Sequence, residues 1–534
     1  MAVLQKGKST YPFWGASINL ITGLDPLSLQ TTSEATYSVL LSGITNLTNR
    51  MRYYGFYCWL LDFYFKQETK GNSTEQYKFI RRAELMVAIL MQSEKKDIQQ
   101  VTGSNFASTM IQQLTGDSYD LAWGADRDGT DKEVYWKYPS GAFGQYYYGA
   151  MRAISLVVAA VNDDKDVIFN VTQPNRHQRV SGQSLAEAFD EGLSCEAKAL
   201  FHQNIKQGKL LVADIQKLIP YFSVDRVNTE SREWELYISM ISDKDEPGFE
   251  LEDQSTFHRK ETIFELIQIA NENGGEYDWY QLLLKAYEKK LGSAENPVSD
   301  TLKGWYAYQF NEYYQYACGA ILWAVLQHLY QLQQDQYLPV LVKDMSKSIT
   351  EVLCQSLDAI NPNSTVQEVI AALPAVLDEQ TLYQSIEAKA ASDPYEAAKQ
   401  GFLLLFRLYR ENINRLHPLK EFMSRKQMLR EGNMIDGLLV FSSAEKDPIG
   451  LFIEQFLLRS IIYRHQMVAM RKMGNGTQST HKFILEDQYI RFIATFPPRS
   501  TSPRMNALEN LLFDLGIVDE NREATSLYAK LRSE

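Results

Sequence analysis

A chain of 534 residues with 45% hydrophobic and 22% charged side chains holds enough apolar material for several cores, about one per 100–200 residues. That composition excludes wholesale disorder, collagen and extended coiled coil. The net charge of −12, taken over the whole chain, argues against a surface made generally to coat nucleic acid.

The N-terminal stretch MAVLQKGKSTYPFWG lacks the apolar core of a secretory signal. The longest apolar runs, such as AISLVVAAV at 153–161, fall well short of the roughly 20 residues that cross a bilayer. The oily stretch at 450–463 is interrupted by Glu454 and Arg459. Cys58, Cys195, Cys318 and Cys354 stand far apart, form no CxxC, and sit among apolar or helical residues. That is the pattern of small buried thiols in a reducing compartment. The expected location is the cytoplasm, with no membrane contact.

Apolar residues at three- and four-residue spacing predict helices over 53–66, 75–94, 256–273, 305–334, 394–416 and 448–473. Asp393 and Asp447 each precede a proline. Each is expected to cap a helix whose first residue, Pro394 or Pro448, has no N–H to leave unpaired. Gly474 marks the expected stop of the last helix. Strand signals are few: weak alternation over 132–138, and a hairpin over 482–493 turning at Glu486-Asp487. Short helices are expected after it, over 505–515 and 523–531, and hairpin plus helices suggest a winged-helix-like module with its parts in an uncommon order. The expected fold is mainly α: a multi-helical array with small β elements and a short β-hairpin plus helices near the C-terminus. Loop-rich breaks divide it into an aromatic-rich helical domain (1–180), an acidic helical domain (181–299), a helical domain (300–399) and a basic helical domain (400–534).

Catalytic templates find little footing. Asp126-Arg-Asp128-Gly-Thr130 spells the DxDGT of haloacid-dehalogenase-type phosphatases, but that nucleophilic Asp belongs at the end of a buried strand. Here the flanks YDLAWGA and Asp131 read as a charged loop. As a calcium loop it places Lys137 where a bidentate Glu belongs. Seven histidines are scattered with no HxH or HExxH, so no metal is expected. Walker A, GxGxxG and GxSxG strings are absent, and no cofactor is expected. Arg410–His417 and Arg459–His465 fit the loose Arg–His spacing of HEPN-type ribonucleases, in which Arg stabilises charge and His transfers a proton. On a continuous helix Arg459 and His465 lie about 120° apart, and Pro418 disfavours helical geometry at His417. A helical, metal-independent nuclease is the enzymatic alternative.

Charge is unevenly spread. Residues 400–504 carry 16 Lys/Arg against 9 Asp/Glu, while the rest of the chain is strongly acidic. Arg464, His465, Arg471 and Lys472 share an arc of about 120° on one helix, and Arg499 and Arg504 lie in the proline-containing loop that follows. Such a stripe follows phosphates, docks an acidic partner, or is simply the solvated face of a core helix. The cation-flanked aromatic run RMRYYGFYCW (50–59), FGQYYY (143–148) and WYAYQF (305–310) read as core or as a base-stacking groove.

Three stretches, GITNLTNRMRYYGFYCWLL (43–61), FIRRAELMVAI (79–89) and IIYRHQMVAMRK (461–472), resemble uncharacterised, mostly helical bacterial proteins of phage- and plasmid-defence gene clusters. The resemblance implies a cytoplasmic component acting beside other defence proteins, and brings no catalytic residue with it. The resulting expectation is a non-catalytic recognition or scaffold subunit. Arg464, His465, Arg471, Lys472, Arg499 and Arg504 would meet partner proteins, or DNA or RNA. A pure protein–protein adaptor is the third reading.

Overall fold

The apolar periodicity resolves into helices Arg52–Gln67, Ser73–Glu94, His258–Glu272, Asp300–Leu332 and Pro394–Asn412. The last predicted span is a continuous run of Ile449–Phe456, a π-type turn at Leu457–Tyr463, and Arg464–Lys472. The structure, a computed structural model, describes residues 19–20, 25–67, 72–94, 100–126, 134–161, 167–174, 180–242, 258–273, 278–389, 393–473 and 478–528. It is mainly α, with small sheets of two or three strands. Among the described residues no helix is long and apolar enough to cross a membrane.

Asp393 caps as expected, accepting from the backbone of Tyr395 and Glu396 at 3.1 and 3.0 Å. Asp447 does not. Pro448 is itself the cap residue, with an extended ψ of 139°, and Ile449 is the first helical residue. The reason is tertiary: Val366 N–H donates to the Asp447 carbonyl at 3.1 Å and Ile449 N–H to Ser364 at 2.8 Å, a short β-like pairing that holds Pro448 extended. The span predicted over 394–416 breaks at Asn412, and a new helix, Leu416–Arg425, includes His417 and Pro418. A proline in a first turn is tolerated because the missing N–H has no intrahelical acceptor there.

The hairpin forms from Phe483–Glu486 and Tyr489–Phe492, joined antiparallel to Gln336–Tyr337. Its two turn residues, Asp487 and Gln488, both have positive φ (47° and 70°), as a tight hairpin turn requires. Residues 134–138 form no strand, and 132–133 lie outside the described residues, as does Gly474. No helix occupies 523–527, where a bridge between Val518 and Ala524 stands instead.

The chain divides into two units, each discontinuous in sequence: Met1–Ala35 with Ala307–Thr501, and Thr36–Tyr306 with Ser502–Glu534. The hairpin and the helix Met505–Asp514 therefore belong to different units.

In the second of these units the aromatic run is core: Tyr53, Phe56 and Tyr57 are fully buried. Its flanking cations are neutralised locally, Arg50 by Asp514 at 2.7 Å and Arg52 by Glu233 at 3.2 Å. Buried Glu84 accepts from the backbone N–H groups of Ala142 and Phe143 at 3.0 and 2.6 Å and from the Tyr57 hydroxyl at 3.0 Å. Burial nonetheless pushes its carboxyl up to about 7, against those donors. In the first unit Phe402, Phe406, Phe441, Phe452 and Phe456 cluster, with the Phe441 and Phe452 rings 4.8 Å apart. Cys58 and Cys318 are buried and Cys354 is half-buried, but Cys195 is exposed at the first residue of Cys195–Gln207, which departs from the expectation of buried thiols.

Candidate functional site

The helical run 449–472 turns Ile449, Phe452, Ile453, Phe456, Leu457 and Ile461 inward. Arg459, Tyr463, Met467, Met470 and Arg471 are exposed, with Tyr463 at 43% and both methionines at 59%. Their spacing follows successive turns of one helix face. The π-type turn lies just ahead of the basic residues, so the 100° rule holds only from Arg464 onward.

The basic arc does not face outward as a whole. Arg464 Nε donates to the Leu27 carbonyl at 2.5 Å, and its Nη2 to Ser28 at 3.2 Å. His465 is 0% exposed; its Nδ1 bonds the Pro26 carbonyl at 3.0 Å, and its Nε2 accepts Lys482 N–H at 2.9 Å. Those partners require the neutral Nδ1–H tautomer. Burial, with the nearby His481, Lys482 and Lys472 charges, pushes the imidazolium down to about 4. Lys472 Nζ donates to the Asp25 carbonyl at 2.5 Å from an exposed position. Four consecutive carbonyls, 25 to 28, are thus received by three residues of this helix. They precede the helix Gln30–Leu40, and the side-chain donors of Arg464, His465 and Lys472 satisfy them.

Arg471 is exposed and stands 3.5 Å from Glu431, itself almost fully solvated, a rim pair of little energetic weight. Arg504 belongs to the other unit. Its guanidinium donates to the Ile44 carbonyl at 2.6 Å and Ser38 Oγ at 3.0 Å and lies 4.7 Å from the Tyr37 ring centre. Arg471, Lys472 and Arg499 are therefore the exposed members of the sequence-derived set.

Around Arg499 the fold assembles a feature that sequence reasoning missed. Phe496 is buried, and its ring carries two cations: Lys482 Nζ at 5.3 Å and Arg499 Cζ at 5.2 Å from the centroid. Lys482 is only 4% exposed. Burial, and after it the Arg499 charge, holds its ammonium below the ordinary lysine value. Among the described residues neither cation makes a hydrogen bond or an ion pair. The sequence signal was slight, a cation two prolines after an aromatic residue.

Among the described residues no contact joins Arg410 to His417 or Arg459 to His465. Arg410 donates to the Leu373 carbonyl at 2.8 Å, while His417 is exposed on the separate helix Leu416–Arg425. His465, the partner of Arg459, has both ring nitrogens engaged and is sealed from solvent. Asp126 is clamped by Arg82 through both carboxylate oxygens, and Asp128 lies outside the described residues. Among the described residues no group of three His, Cys, Asp or Glu side chains is placed to hold a metal ion. A cleft of about 240 Å³ in the other unit is lined by Tyr64, Lys78, Phe79, Arg82, His202 and Lys206, among others, but Arg82 is spent on Asp126 and on the Ile205 carbonyl at 2.9 Å.

Comparison with protein-family models, curated proteins and solved structures returns no match.

Proposed function

We propose that this chain is a non-catalytic recognition or scaffold subunit that docks an acidic, partly apolar partner protein on the exposed face of residues 459–472. One observation carries the reading: Tyr463, Met467 and Met470 are exposed on successive turns, with Arg459 and Arg471 among them. Adaptable Met surfaces and Tyr–Arg combinations are favoured where proteins meet. The three resembling stretches add the setting, an assembly of the defence type in which companion proteins supply the partner.

Nucleic acid is the second reading, and Arg471, Lys472 and Arg499 support it. A phosphate track needs a row of available cations, whereas Arg464, His465 and Arg504 are spent on internal acceptors. Apolar Met467 and Met470 between the cations favour protein.

The test compares the tagged chain with its Met467→Glu/Met470→Glu variant, both isolated from the native host. Loss of a stoichiometric companion from the variant, at unchanged melting temperature, supports the proposal. The same companions on both forms would overturn it. Binding to labelled duplex DNA or single-stranded RNA that falls steeply with salt would favour the second reading.

A further inference from the structure

We propose that Lys482 and Arg499 form a binding site for a phosphoryl oxyanion, free or esterified to a small molecule. The inference stands apart from the docking face, because it rests on different residues and a different chemistry.

A cation on a largely buried side chain is poorly compensated without a hydrogen bond or a carboxylate, and Lys482, 4% exposed, sets its Nζ over the Phe496 ring with no such partner among the described residues. A cation over an aromatic face recovers part of that cost, and here the same ring is shared with a second cation. Like charges held together oppose each other.

The fold anchors the backbone on both sides. The Lys482 backbone is pinned: its N–H donates to His465 Nε2, and its carbonyl accepts from Ile493 and Ala494 at 2.9 and 3.1 Å. Arg499 is carried on a braced loop. Pro498 packs over Gly319 of the helix Asp300–Leu332, where a Cβ would meet Pro498 Cα at 3.4 Å, an ordinary contact distance. The Ser500 hydroxyl bonds the Tyr383 hydroxyl at 2.7 Å. Thr501 donates both its N–H and its Oγ1–H to Glu312, each at 2.7 Å. Both cations are thereby presented over one ring from anchored backbone before any ligand arrives, which lowers the cost of binding.

A dianion balances this pair where a single carboxylate would leave one charge over. The guanidinium offers a planar fork for two oxygens and the ammonium a point charge, a combination suited to tetrahedral phosphoryl groups.

The test uses the full chain in phosphate-free, low-salt buffer, titrated calorimetrically with inorganic phosphate or glycerol phosphate, and with acetate at matched ionic strength. The proposal expects saturable phosphate binding that acetate does not reproduce, weakened about tenfold or more in Arg499→Gln. The tighter of the two phosphoryl ligands identifies the free or the esterified source, and either supports the site. It also expects Arg499→Gln to melt no lower than the parent without phosphate, since a repulsion is removed, and lower than the parent with phosphate. Equal responses to phosphate and acetate would overturn the proposal, as would parent-like phosphate binding by Arg499→Gln. Should Lys482→Met fail to fold, exposed Arg499 still decides the question.

Discussion

His465 donates its Nδ1 proton to the carbonyl of Pro26 at 3.0 Å, linking residues far apart in the chain at a point shut off from water. Arg464 and Lys472 take the neighbouring carbonyls of Leu27, Ser28 and Asp25. The basic helix is thus first a clasp on an N-terminal turn, and only its outward residues remain for a partner.

The clasp depends on a neutral imidazole. Folded His465 titrates at about 4 against roughly 6.5 in an unfolded chain. Between those values the unfolded state binds more protons, so stability is complete above about pH 6.5 and is lost as pH falls toward 4. The loss amounts to about 3 kcal/mol. Hydrogen exchange at the Lys482 amide, which His465 accepts, is expected to quicken over that window after correction for intrinsic rates.

Glu84 and Asp514 run the other way. Burial pushes their carboxyls up to about 7 and about 6, so their contribution is present below the ordinary carboxylic range and is lost as pH rises through those values. Protection of the Phe143 and Met51 amides, which donate to these carboxylates, is expected to decline from pH 5 to pH 8. Parallel behaviour of the Lys482 and Phe143 amides would contradict both assignments.

Gly55 lies where a Cβ would overlap the Tyr237 hydroxyl, which itself bonds Glu233 at 2.8 Å in full burial. Gly55→Ala is expected to destabilise by about 2–3 kcal/mol through overpacking, despite alanine's better helix propensity. Urea denaturation followed by tryptophan fluorescence measures it.

Glu312 braces the Arg499 loop through Thr501. Glu312→Ala takes the acceptor from the Thr501 N–H, at about 1–3 kcal/mol, leaves the Thr501 hydroxyl only the Tyr308 hydroxyl at 3.0 Å, and loosens the loop. Calorimetry is expected to show weaker phosphate binding although Lys482 and Arg499 are intact.

Thiol accessibility gives a direct check on packing. Cys195 is expected to react first with a thiol reagent under native conditions. Cys58 and Cys318, whose thiols burial holds in the protonated form, are expected to react only on unfolding.

The mainly α architecture was legible because apolar spacing at three and four residues marks buried helix faces. Boundaries failed where distant segments intervened, as at Pro448, held extended by 364–366. The aromatic runs were ambiguous in sequence because nearly every residue from Tyr53 to Trp59 is large, so no face stands out; the fold buries all faces. The charge stripe was visible, but its acceptors, the carbonyls of 25–28, lie more than 400 residues away in the chain. Lys482 and Arg499 meet only through Phe496, a juxtaposition that no local pattern encodes.

The most direct test of the docking claim places a photo-crosslinking amino acid at Met467 in the tagged chain, expressed in its native host. The account predicts one dominant crosslinked companion protein, lost when Met470 and Arg471 are replaced by Glu. A chain recovered as an uncrosslinked monomer, free of protein and nucleic acid, would contradict it.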